Sequence, residues 1–93
     1  MTTIIAFHET EDGEHWAKAW HEGAGSRHEM FNKVGVKCRT FRDPNNPNST
    51  GVLAEVSDMK VFEEFMASDE GQKAMAEDGL KVETMRVLTE FTP

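Results

Sequence analysis

The run from Thr2 to Glu9, TTIIAFHE, is rich in β-branched and aromatic residues, and it alternates Ile4, Ala6 and His8 against Ile5, Phe7 and Glu9. Both sets carry apolar side chains, so this first strand is apolar on each face of whatever sheet it joins. The whole chain has 93 residues, which is enough apolar mass for one core but not two, and residues 1–93 are read as a single domain. Hydrophobic residues make up 38% and charged residues 29%, an ordinary globular balance.

Asp12 is placed to cap a helix, with Glu14 in its first turn and Trp16, Ala17, Ala19 and Trp20 along one stripe. This helix is predicted from about Gly13 to Glu22. Gly23 to Ser26 interrupt it. Ser26 and Glu29 then have capping-box spacing ahead of Met30, Phe31 and Val34, and Gly35 is a left-handed stop. Val36 to Arg42 alternates as a second strand, with Lys37, Arg39 and Phe41 on one face. Asp43 to Thr50, DPNNPNST, reads as a long loop because its prolines and asparagines favour turns. Gly51 to Val56 is strand three. Ser57 or Asp58 caps a helix carrying Met59, Phe62, Phe65 and Met66, with a kink expected near Ser68 and Gly71. Leu80 to Phe91 is strand four.

The order is therefore βαββαβ. A right-handed crossover then gives an α+β, ferredoxin-like fold: an antiparallel four-stranded sheet of order 4-1-3-2 with the helices on one face. The other face is left bare. Ile4, Ala6, Phe41, Leu53 and Leu88 are the candidates to lie on it. Apolar area is worth about 25 cal/mol per Å² when removed from water, so a second copy covering this face is the expected partner.

In the runs IIAFHE, VKCRTFRDPNNPNSTGVLAEV and DMKVFEEFMASDEGQKAM the chain resembles the dimeric α/β-barrel proteins, among them the antibiotic-biosynthesis monooxygenases and the stress-responsive barrel proteins. The resemblance spans nearly the whole chain as an arrangement of elements. It implies a homodimer with ligand-sized space between sheet and helices. No monooxygenase active-site signature maps onto these residues one by one.

The formal net charge of −7 argues against a nucleic-acid partner, which needs a basic surface. No apolar run approaches the ~20 residues that span a bilayer, and the first residues lack the pattern of a secretory leader. A cytoplasmic protein without a membrane partner is expected. The single cysteine, Cys38, cannot form an internal disulfide and reads as a small buried hydrophobe. His8, His15, His21 and His28 crowd the first third of the chain, yet no pair has the i, i+3 or i, i+4 spacing of a helical metal site. No metal and no cofactor are expected.

His8 is the one catalytic candidate, a group able to take or give a proton near neutral pH. Arg39, Glu55 and Arg86 are expected on its face around an apolar floor with Phe41, a set suited to a small anionic or aromatic ligand. The ordinary reading of the same residues is a set of buried salt bridges fixing dimer register. Trp16 and Trp20, one turn apart, are core anchors that would also wall a pocket beneath the first helix. Two functions follow: a homodimeric protein binding a small anionic or aromatic metabolite between sheet and helices, or a cofactor-independent monooxygenase-like enzyme acting on an aromatic or polyketide-type substrate. Whether the chain is an enzyme is left open by the sequence.

Overall fold

The computed structural model describes residues 1–21 and 23–93. Its elements run β1 (Thr2–Thr10), α1 (Gly13–Ala19), α2 (Arg27–Asn32), β2 (Val36–Asp43), β3 (Asn46–Val56), α3 (Met59–Ala67), α4 (Asp69–Glu77) and β4 (Leu80–Thr89). The sheet order is β2-β3-β1-β4 with every neighbouring pair antiparallel, which is the expected 4-1-3-2 read from the other edge.

The helix starts follow the capping residues. Asp12 accepts the N–H groups of Glu14 and His15, Ser26 that of Glu29, Asp58 those of Lys60 and Val61, and Ser68 that of Gly71. Ser68 is thus the expected break, made into an elbow between two separate helices. The elbow is tight: a Cβ on Gly71 would lie 2.3 Å from the Phe65 carbonyl oxygen. α1 stops at Ala19, where the Trp20 N–H turns back to the Ala17 carbonyl at 3.1 Å in a tightened final turn. Its predicted end, Glu22, lies outside the described residues.

The long loop is corrected. Only Pro44 and Asn45 separate β2 from β3. The strands continue into this stretch because the register shifts between Arg42 and Asp43, from Thr50 to Asn46, so Pro47 and Asn48 sit in a bulge where no ladder N–H is demanded of proline. Asp43 accepts the Asn45 N–H at 2.8 Å and closes the turn. β4 likewise ends at Thr89, short of the predicted Phe91.

Ile4, Val36, Ala54 and Val56 form the buried centre on the helix side, packed by Phe31, Val34, Met59 and Phe62. Ile4 and Ala6 therefore lie under the helices and not on the bare face. The register puts Ile5 opposite Leu53 and Leu88, and Phe41 opposite Gly51 and thence Phe7. These residues make the bare face, on which Phe7, Phe41 and Leu88 are each nearly half exposed. Alternation fixed which residues share a face. It did not fix which face the helices cover, since both sets in β1 are apolar. Among the described residues no helix is long and apolar enough to cross a membrane.

The hairpin bulge closes against α1. Gly13 donates to Asn48 Oδ1 at 2.8 Å, and Arg42 donates to the Gly13 carbonyl and pairs with Glu14. A Cβ at Gly13 would fall 1.9 Å from the Pro47 carbonyl oxygen. Gly13→Ala should therefore cost about 1–3 kcal/mol, seen as a lower urea midpoint at unchanged slope; an unchanged midpoint would mean that the bulge does not pack here.

Candidate functional site

Between the sheet and the helices lies a cavity of about 270 Å³, lined by apolar residues from every element except the hairpin tip, among them Ala6, Val52, Phe65, Met75 and Met85. Its polar groups are few: His8, the Trp20 indole N–H, and the pair Arg27–Asp78.

β1 brings His8 here by its pleat, and β4 makes the room. Phe7 pairs with Arg86, but Glu9 pairs with Lys81, so four residues of β4 bulge opposite the one residue His8. Thr84 closes the gap in the ladder by accepting the Glu9 N–H at 2.9 Å and donating to the Lys81 carbonyl. His8 itself is 6% exposed. Its Nδ1 lies 2.6 Å from Thr50 Oγ1, whose hydroxyl donates to the His8 carbonyl at 3.0 Å. A hydroxyl has one proton. With that proton given to the carbonyl, Thr50 accepts from Nδ1–H, which leaves Nε2 as the bare nitrogen of the neutral ring. Among the described residues Nε2 has no hydrogen-bond partner.

Burial lowers the His8 pKa, only partly offset by the hydrogen bond to its own carbonyl, so the ring is neutral at pH 7. Its edge meets Trp16 at 6.0 Å between centroids, the first contact in an aromatic chain that runs through Trp20 to Phe31, stacked 9° from parallel, and on to Phe65. Trp20 Nε1 is buried without a hydrogen-bond partner among the described residues.

Arg27 at the start of α2 binds Asp78 after α4 through two bonds of 2.8 and 2.9 Å, and reaches Glu77 at 3.5 Å. The Asp78 bond is the main cause that raises the arginine pKa. Cation and anion are spent on each other, and the cavity is electrically neutral.

His8, Trp16 and Trp20 are thus brought together, but Arg39, Glu55, Arg86 and Phe41 are not. Arg39 pairs with Leu53, Glu55 with Thr3 and Arg86 with Phe7, so all three point to the bare face, where the Arg39 guanidinium sits 5.8 Å from the Phe41 ring centre. The expected constellation is split by the sheet. Arg27 and Asp78, 51 positions apart, were missed, because no local periodicity links two such positions. His15 donates to the Glu77 carbonyl and His28 packs on Trp20. Among the described residues no group of three or more His, Cys, Asp or Glu side chains is placed to hold a metal. Cys38 also lines the cavity, half-buried, and burial pushes its thiol up to about 12.

The neutral His8 has a consequence for pH. Its folded-state pKa lies below the unfolded value of 6.5, so the unfolded chain takes up the proton first and stability is lost as pH falls below 6.5. Urea midpoints at pH 7.5 and 5.5 should differ less in His8→Gln than in the wild type; an equal pH dependence would mean that His8 is not buried neutral.

No protein-family model matches this chain, and no curated protein matches it in sequence. Solved structures match it over its length, among them the following two. "Crystal structure of antibiotic biosynthesis monooxygenase" aligns with a TM-score of 0.66 at 11% identity, covering 100% of this chain and 99% of the other. "Putative antibiotic biosynthesis monooxygenase from Nitrosomonas europaea" aligns with a TM-score of 0.70 at 10% identity, covering 99% and 98%. The chain has the ferredoxin-like α+β fold of these monooxygenase structures.

Proposed function

We propose that this protein binds a small neutral aromatic molecule in the cavity between sheet and helices. The observation that carries the reading is the cavity itself, of about 270 Å³ and walled by apolar and aromatic side chains, the chemistry of a small-molecule pocket, with a volume just below the usual range. Of the two ligand classes the sequence left open, the neutral aromatic one is favoured. Arg39 and Arg86 lie across the sheet, and Arg27 is neutralised by Asp78, so among the described residues the cavity offers no unpaired cation to offset the desolvation of an anion.

A second reading, a cofactor-independent monooxygenase, is favoured by the unprotonated His8 in the cavity wall. His8 would take the proton of a phenolic ligand. Dioxygen would then bond to a hydrogen-bearing ring carbon of the phenolate, and the protonated hydroperoxide would lose water to leave a quinone. One oxygen atom is kept and the other departs as water.

The bare sheet face is proposed to be covered by a second copy of the chain. Phe7, Phe41 and Leu88 are 45%, 44% and 45% exposed there, flanking Ile5 and Leu53, an apolar patch of the sort that marks an interface.

Calorimetric titration should show naphthalene binding to the wild type and at least tenfold weaker binding of the 1-naphthoate anion. Ala6→Phe, which fills the cavity, should abolish the first without loss of the circular dichroism of the fold. Naphthalene binding that survives Ala6→Phe would place the ligand elsewhere. Dioxygen uptake on adding 2-naphthol would distinguish the enzyme from the binding protein. By light scattering the wild type should be a dimer and Phe41→Glu/Leu88→Glu a monomer; a monomeric wild type would refute the covered face.

A further inference from the structure

We infer that the cavity selects an aromatic ligand carrying a hydrogen-bond donor, a phenolic O–H or a ring N–H, and that His8 Nε2 receives it, with Thr50 as the positioning residue that keeps this nitrogen bare. The inference rests on the cavity being a ligand site and adds which ligands it prefers. Thr50 is 5% exposed, and its hydroxyl is used twice, once toward the His8 carbonyl and once from Nδ1–H. Both bonds are internal to the paired residues His8 and Thr50 of neighbouring strands, so the tautomer is set by the sheet and not by the ligand. Among the described residues Nε2 is then the one strong acceptor that a cavity-lining side chain leaves open, since the Asp78 carboxylate is held by Arg27 through both oxygens. A ligand without a donor would strip Nε2 of water and return nothing, and a site with a buried polar group rejects the analogue that leaves it unpaired.

Trp16 fixes the direction of this acceptor. Its ring meets the imidazole at 66° and is itself 3% exposed, so His8 has packing on one side and the Thr50 bond on the other. The imidazole is preorganised to accept before a ligand arrives.

The test compares 2-naphthol with 2-methoxynaphthalene, which keeps the rings and the oxygen but has no proton to donate, with naphthalene as reference. Calorimetry on the wild type should give 2-naphthol at least tenfold tighter than 2-methoxynaphthalene. His8→Phe should still bind naphthalene and lose the preference. Long-range 1H–15N spectra should show Nδ1 protonated and Nε2 bare in the wild type, and a mixture of the two tautomers in Thr50→Val, whose naphthol preference should fall with it. Equal binding of 2-naphthol and 2-methoxynaphthalene to the wild type, or an Nε2-protonated ring, would overturn the inference while leaving the cavity a ligand site. If none of the three probes binds, the cavity reading itself is overturned and this one with it.

Discussion

The pleat of β1 is the constraint on which the rest of the molecule depends. It is an inner strand, hydrogen-bonded to β3 on one side and β4 on the other, and each successive side chain is committed to opposite faces. Ile4, Ala6 and His8 go under the helices; Ile5 and Phe7 go to the bare face. A slip of one residue would exchange the two sets, sending Phe7 into the cavity and His8 out of it. The bulge in β4 lets the partner strand widen beside His8 while β1 keeps its regular pairing with β3, so the cavity is gained without disturbing the strand that orients its main polar group.

The helical layer is anchored at two places far apart in the chain. At one, the bulged Pro47–Asn48 segment caps and steers the start of α1, which in turn delivers Trp16 over His8. At the other, the Arg27–Asp78 pair ties the start of α2 to the end of α4. α2 has six residues and buries none of them completely, so its position owes more to Phe31 and to this ion pair than to a core of its own. Truncating either partner would leave the other charge largely buried beside an apolar space, the costly way to break such a pair.

Much of this architecture was legible because local chemistry and global fold agree. Asp12, Ser26, Asp58 and Ser68 stand at the helix starts that their side chains cap, and the two periodicities separated strands from helices. The hairpin escapes the sequence because Asn46, Pro47 and Asn48 look like loop residues, and only a register shift, which pairing decides, makes them tolerable within a strand. The candidate site was half legible. The i, i+4 spacing of Trp16 and Trp20 and the polar His8 in an apolar run carry a visible signal. The sidedness of Arg39, Glu55 and Arg86 does not, because a strand with two apolar faces gives no indication of which one the helices will choose. The Arg27–Asp78 pair is a product of tertiary packing alone.

The half-buried Cys38 has a bearing on what the cavity can tolerate. Burial pushes its pKa up to about 12, which keeps the thiol protonated at neutral pH, and the thiolate is the form that attacks electrophiles. Aromatic molecules that have been oxidised, or that oxidise in air, are commonly electrophilic. The only thiol in the chain faces the same chamber as His8 yet is held in its inert form by its apolar neighbours. A guest of that kind could come and go without becoming covalently attached to its host.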